Sequence, residues 1–299
     1  MNVLTAVNQG LAEIGLPTQS SLVGNTQTDA IQILAIAQAV GSVLTQEWDW
    51  QQLEKQYTFN VLAQTIAGTT SAGSAVITLS STPSPSLDTT YQISGIGILQ
   101  DVYVVSQVGT TVTMSQPATT SGTNSLVFGK TKYSLPSDFD RPINRTAYDK
   151  SRRWAMLGPA TPQEWEWLKS SYISTGPRIR YRYWGGYLQT WPIIATGDLL
   201  SIEYMSNGFA VDATTLANKS SFTADTDTYI WSDRLFVAAF KFLYMAQRGL
   251  DTSVSGDFFQ RQLSIEKAKN KGADTLTMNG HPAPVLISLT NVPDSGVGQ

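Results

Sequence analysis

Two pairs of carboxylates stand close enough in the sequence to do acid–base chemistry: Asp138 with Asp140, and Glu164 with Glu166. Retaining glycoside hydrolysis would need two carboxyls about 5 Å apart with separated pKa values. Glu164, however, closes a capping box with Thr161 in Thr161-Pro162-Gln163-Glu164, and Glu166 falls on another side of the same short helix. There is no cysteine and one histidine, His281, so disulfides and Cys- or His-based zinc sites are not expected. No G-x-x-x-x-G-K-S/T phosphate loop occurs, which argues against NTP hydrolysis. No enzyme, metal or cofactor is expected. Arginine is the residue with chemistry to offer. Arg141, Arg145, Arg152 and Arg153 lie within one short segment, and Arg178, Arg180 and Arg182 alternate in another. Guanidinium forks match carboxylates on a neighbouring protein. A solvated basic face is the plainer explanation, and phosphate contact a third.

The first arginine cluster sits in KYSLPSDFDRPINRTAYDKSRRWAMLGPATPQEWEWLKSSY, residues 132–172. Residues 132–135 alternate polar and apolar, a short strand pattern that Pro136 ends. Ser137 and Asp138 are turn formers whose side chains bond back to the backbone. The capping box predicts a helix over 162–170 with Trp165 and Leu168 on one side and Trp167 on another. Tryptophans on two sides of one helix call for contacts from two directions. In the second cluster, period-two alternation puts Arg178, Arg180 and Arg182 on one strand face and Ile179, Tyr181 and Tyr183 on the other. Gly185-Gly186 marks a turn or bulge. Antiparallel pairing with a strand over 199–204 is expected, where Glu203 would answer one arginine.

Helical spacing of Val3, Leu4, Val7, Leu11 and Ile14 predicts a first helix, stopped by Gly15 and Pro17. A second helix starts near 26–29 and is apolar on more than one side, closing at Trp48 and Trp50. Residues 56–61 alternate as a strand. Composition then shifts to Thr, Ser and Gly over 62–129, with short β runs at 75–79, 91–94, 101–107, 111–115 and 126–128, and a hairpin turn at Val108-Gly109-Thr110-Thr111. This all-β module is expected to be inserted into a loop of the surrounding domain. Residues 205–221 read as loop. A strong helix follows an Asp225 or Asp227 cap and ends at Gly249, and another spans 258–271. From 275 onward Gly and Pro forbid a helix; Val285, Leu286, Ile287 and Leu289 form an apolar strand in an open tail that could add to a partner's sheet edge.

Charged residues make up only 14% of the 299-residue chain, well below the usual share, and hydroxyls and amides replace them. Such a surface loses little hydration when packed by neighbours; a β-rich domain with hydroxyl-rich strands would look the same. The formal charge of −3 excludes a general nucleic-acid binder. A mildly negative wall would let a duplex slide past. The N-terminal residues lack a signal-peptide pattern, and no apolar run approaches about 18 residues, so no membrane span is expected.

YSLPSDFDRPIN, DKSRRW, GPATPQEWEWLKS, RIRYRYWGGYLQTWPIIATGDLLSIEY and SSFTADTDTYIWSDRLFVAAFKFLYMAQRGLD resemble segments of bacteriophage head-to-tail adaptor (connector) proteins. The likeness covers most of the chain outside about 61–129. It implies a structural virion protein made in the host cytoplasm and placed at the head–tail junction. It implies a ring, expected to be dodecameric, that joins the portal protein to tail or nozzle proteins and carries double-stranded DNA through its lumen. The expected fold is α+β: a helical-bundle core with a small antiparallel β element over 1–61 and 130–274, the inserted module over 62–129, and an extended tail over 275–299. Trp165, Trp167, the seven arginines and the tail strand are the expected subunit or portal contacts. The alternatives are a tail or receptor-binding protein with a glycan-binding β insert, and a virion-associated peptidoglycan hydrolase.

Overall fold

The computed structural model of the chain describes residues 1–170, 178–194 and 196–271. The Asn2 side chain caps α1 (Val3–Glu13) by accepting from the Thr5 amide, and Val3, Ala6, Val7, Gly10 and Leu11 form its buried face. α2 (Thr28–Glu47) buries Ile33, Ile36, Ala37, Val40 and Leu44 and packs on the later helix built around Phe236. By length and composition α2 could cross a membrane, which corrects the expectation that no stretch would qualify. Ile33, Ile36, Ala37, Val40 and Leu44 are buried inside the fold, whereas Ile31 and Val43 are exposed. At its end the Trp50 indole N–H donates to the Leu44 carbonyl at 2.6 Å, filling one of the acceptors a helix terminus leaves open.

A single turn, Gln51–Leu53, leads into β1 (Glu54–Asn60). Two residues later the chain enters a closed six-stranded antiparallel barrel. Its strands are β2 (Ala63–Thr70), β3 (Val76–Leu79), β4 (Tyr91–Ser94), β5 (Val102–Val108), β6 (Thr111–Met114) and β7 (Gly122–Lys130), joined in the order β2-β3-β6-β5-β4-β7. Closure comes from the long β2–β7 ladder, Ala63↔Gly129 to Thr70↔Gly122. Closure also removes the exposed edges that a Thr-rich sheet would otherwise offer to other chains. Ile77, Leu79, Ile93, Val102, Val104, Val112, Met114, Leu126 and Phe128 fill the interior.

After the barrel come β8 (Lys132–Ser134), β9 (Phe139–Pro142), β10 (Tyr148–Asp149), β11 (Trp154–Ala155) and α3 (Pro162–Ser170). β12 (Arg180–Trp184) and β13 (Tyr187–Trp191) form a hairpin, and β8 pairs with the free side of β13. β14 (Leu199–Ser206) is the spine of a separate sheet. β1 lies along one edge over seven residues, and β9 and β10 share the other edge, with β11 outside β10. The expected pairing of 178–184 with 199–204 is therefore wrong. Gly185 and Gly186 adopt φ of 60° and 80°, the left-handed pair that a two-residue hairpin needs, and they return the chain to pair β12 with β13.

β15 (Ala210–Val211), β16 (Asn218–Lys219) and β17 (Thr228–Tyr229) make a small sheet where a loop was expected. The strands are too short to carry a period. α4 (Asp233–Gln247) is capped by Ser232, not by Asp225 or Asp227. Those two aspartates do other work: Asp225 accepts from the Leu22 and Val23 amides, and Asp227 from Lys219 and the Thr223 and Ala224 amides. α5 (Ser253–Lys271) begins five residues before its expected start.

The helical-bundle core is the main correction. Among the described residues there are seventeen strands in four sheets and five α-helices. The helices bury one apolar cluster, including Val40, Leu44, Trp50, Phe209, Phe222, Phe236 and Phe240, and Tyr229 stacks on Phe236 at 4.1 Å. The sheets around β14 and β13 bury a second, and the barrel a third. β14 joins the first two: Leu200 and Ile202 pack into the sheet core, whereas Met205 packs among the helices. The sequence favours a bundle because helices show a strong 3.6-residue period, while two- to four-residue strands show almost none.

Candidate interaction surface

Asp138, Asp140 and Glu164 of the carboxylate pairs are engaged structurally. Thr161 and Glu164 make the reciprocal cap, Thr161 N–H to Glu164 at 2.8 Å and Glu164 N–H to the Thr161 hydroxyl at 3.3 Å. The backbone amide of Thr161, and then its side chain, hold Glu164 below the usual carboxylate range. That is opposite to what a general acid requires. Asp138 clamps three segments. It accepts from Lys55 Nζ of β1 at 2.6 Å, and from the hydroxyls of Tyr204 and Ser206 of β14 at 2.9 and 2.8 Å. Burial alone would raise its pKa, but these hydrogen bonds outweigh burial and lower it. The expected local turn bonds of Asp138 are thus replaced by long-range ones. Among the described residues no group of three or more His, Cys, Asp or Glu side chains is placed to hold a metal.

The arginines part company. Arg141 pairs with Asp49 at 2.6 Å and with Asp140 at 2.7 Å. Arg152 reaches Asp198 at 3.2 Å and Asp149 at 3.8 Å. Arg145 and Arg153 make no ion pair among the described residues, and both line a shallow basin of about 610 Å³ floored by Gln56, Tyr148, Ser201 and Glu203. Both have positive φ, 64° and 58°, a backbone region that non-glycine residues seldom enter. Such outliers persist only where the surroundings impose them, and they cluster where side chains must be aimed. Lys150, on the same basin, is tied to Gln56 at 3.0 Å. Arg178 is exposed, and Arg180 lies near enough to Glu164 to add to the lowering of its pKa. Ile179 and Tyr181 are buried on the opposite face, following the period-two alternation. Arg182 turns elsewhere: its Nε donates to Gln189 across the hairpin, and its guanidinium lies between the rings of Trp165 and Trp184. Glu203 sits in β14, opposite Gln56, and answers none of the β12 arginines.

α3 divides its tryptophans: Trp165 is 2% exposed and Trp167 59%. Trp154 and Trp184 are also exposed. Composition could not distinguish the buried from the exposed rings; the three-residue spacing of Trp165 and Leu168 could. Val285, Leu286, Ile287 and Leu289 lie outside the described residues.

The feature that sequence reasoning missed is on α5. Phe259 and Leu263 pack inward, while Val254, Phe258 and Ile265 are exposed. At about 100° per residue those three fall within a stripe about 40° wide, facing away from the buried one. The stripe runs into a groove of about 550 Å³ between α1, α4 and α5, lined by Ile14, Ala238, Met245, Val254 and Phe258. A helix with apolar residues on opposite faces has buried only one of them within its own chain. The i, i+4, i+11 spacing was readable in the sequence, but which apolar set the chain itself covers was not. No protein-family model matches this chain, and no curated protein matches it.

Proposed function

We propose that this chain is a structural virion subunit, a head-to-tail adaptor that assembles as a ring between the portal and the tail and lets double-stranded DNA pass through its lumen. The observation that carries the reading is the second apolar stripe of α5, Val254, Phe258 and Ile265, continuous with the α1–α4–α5 groove. An exposed apolar band beside a groove of this kind marks a contact with another protein. In a closed ring every copy meets two others, so one face of a helix is completed by the next subunit. The likeness of the quoted sequence segments to adaptor proteins supplies the class. Arg145 and Arg153, aimed and without ion pairs among the described residues, are the contacts assigned to acidic groups of the portal. Tail or nozzle proteins occupy the opposite end.

Mass photometry of the purified chain, alone and with purified portal rings, tests this. Ring-sized particles are expected, with a dodecamer on the portal. A chain that stays monomeric beside the portal, or that electron microscopy finds missing from the vertex beneath the capsid, overturns the reading. The triple substitution V254S/F258Q/I265Q is expected to leave a folded monomer and abolish rings.

A further inference from the structure

β1 has one open edge. On β14 the carbonyls of Leu199 and Glu203 accept from the Lys150 and Ile143 amides, on the side of β10 and β9. Backbone groups point alternately to the two sides of an antiparallel strand. Those of Leu200, Ile202 and Tyr204 therefore face β1, where they meet Phe59, Tyr57 and Lys55. The N–H and C=O groups of Gln56, Thr58 and Asn60 point the other way, and among the described residues they have no partner. Three donors and three acceptors in a row are a template for another strand. No proline, glycine or bulge interrupts the seven residues of β1. Its apolar face is incomplete as well: Tyr57 and Phe59 stack at 5.1 Å and pack on the sheet core, yet both are only half-buried.

α5 ends beside the turn that opens β1. The Asn270 side chain accepts from the Gln51 amide at 3.0 Å and donates to the Gln52 side chain at 2.9 Å. Lys267, one turn earlier, pairs with Glu47 at 3.1 Å. Residues 272–299, outside the described residues, continue the chain from that point. Residues 272–284 can reach at most about 45 Å, and β1 is about 23 Å long, so the chain can pass along β1 and return antiparallel to it. The longest apolar run there is Val285-Leu286-Ile287, continued by Ser288-Leu289. Period two puts Val285, Ile287 and Leu289 on one face of such a strand and the Ser288 hydroxyl on the other.

We propose that residues 285–289 pair antiparallel with the open edge of β1 in the same chain. The backbone groups of Gln56, Thr58 and Asn60 complete the ladder, and Val285, Ile287 and Leu289 cover Tyr57 and Phe59. The occupant is the chain's own tail because α5 delivers it to this edge. A strand tethered so closely is present at roughly millimolar effective concentration, above that of a second copy in dilute solution. The inference stands apart from the ring reading, since it uses neither the α5 stripe nor the arginines of the basin.

The chain has no cysteine, so an engineered pair is a clean reporter. The full-length variant T58C/S288C is treated with a short bismaleimide in dilute solution; opposed and diagonal positions of paired strands lie about 5–8 Å apart. An intrachain crosslink is expected, identified by intact mass. S253C/S288C, with its first cysteine at the far end of α5 but within the tail's reach, is expected to give none. Amide hydrogen exchange, read residue by residue on the full chain, is the second measurement. Ile287→Asp puts a charge beside the two rings. It is expected to speed exchange at Gln56, Thr58 and Asn60 about tenfold, as loss of a backbone hydrogen bond would, and to leave Tyr57 and Phe59, bonded to β14, unchanged. Ile287→Val is expected to behave as wild type. No crosslink, crosslinks only between two chains, equal reaction of S253C/S288C, or edge amides whose exchange I287D leaves unchanged each overturns the proposal.

Discussion

Asp138 shows what a single side chain holds in this fold. Its carboxylate joins the Lys55 ammonium of β1 to the Tyr204 and Ser206 hydroxyls of β14, and its carbonyl accepts from the Asn207 amide at 2.9 Å. Asp138→Asn keeps the size but removes the charge, so the Lys55 bond weakens and one hydroxyl must accept instead of donate. Hydrogen bonds to charged groups contribute about 1.5–3 kcal/mol, so a loss of about 2 kcal/mol is expected in urea unfolding. The folded pKa of Asp138 lies below the unfolded one. The sign follows: its stabilisation is fully present above the ordinary carboxylate value of about 4 and is lost as pH falls through the lower folded value. Acid unfolding of wild type and D138N should therefore converge at low pH; a constant gap across the range would contradict this account. In the sequence this residue looked like a local turn former. Its true partners stand 83, 66 and 68 residues away, and no local pattern encodes them.

At the scale of elements, α2 tests packing against propensity. Gly41 sits inside the helix, where alanine normally gains about 1 kcal/mol. A Cβ there would lie 2.2 Å from the Phe209 ring. Overpacking costs about 1–3 kcal/mol, so Gly41→Ala is expected to lower Tm despite its better propensity. The α5 stripe makes the opposite prediction. V254S/F258Q/I265Q changes exposed positions and should shift monomer stability by less than about 1 kcal/mol while assembly is lost. α1, α3 and α4 were legible because they carry a cap, a capping box or a strong apolar period. β2 was missed because Gln64-Thr65-Ile66-Ala67-Gly68-Thr69 has no clean alternation, and its partner β7 lies more than 50 residues on. The cleft between the barrel, α3 and the β8–β13–β12 sheet was illegible for the same reason. Asp101, Lys132, Trp165 and the hairpin residues Arg182 and Trp191 come from four separated stretches that only the fold brings together.

For the whole molecule, the barrel is the separable part. The chain enters and leaves it side by side, with the Lys130 amide donating to the Leu62 carbonyl at 2.8 Å. Replacing residues 63–130 by a short glycine–serine link is expected to leave the β14 sheet and the helices folded, as circular dichroism and thermal unfolding would show.

The joint itself is stiff. Only Val61 and Leu62 separate β1 from β2; Val61 is buried, its amide donates to Asp198 and its carbonyl accepts from Gly197. A barrel mounted on so short and anchored a stem works as a lever. A few degrees of tilt in the β1–β14 sheet would sweep its far loops through a wide arc, and around a symmetric assembly all such arms would swing together.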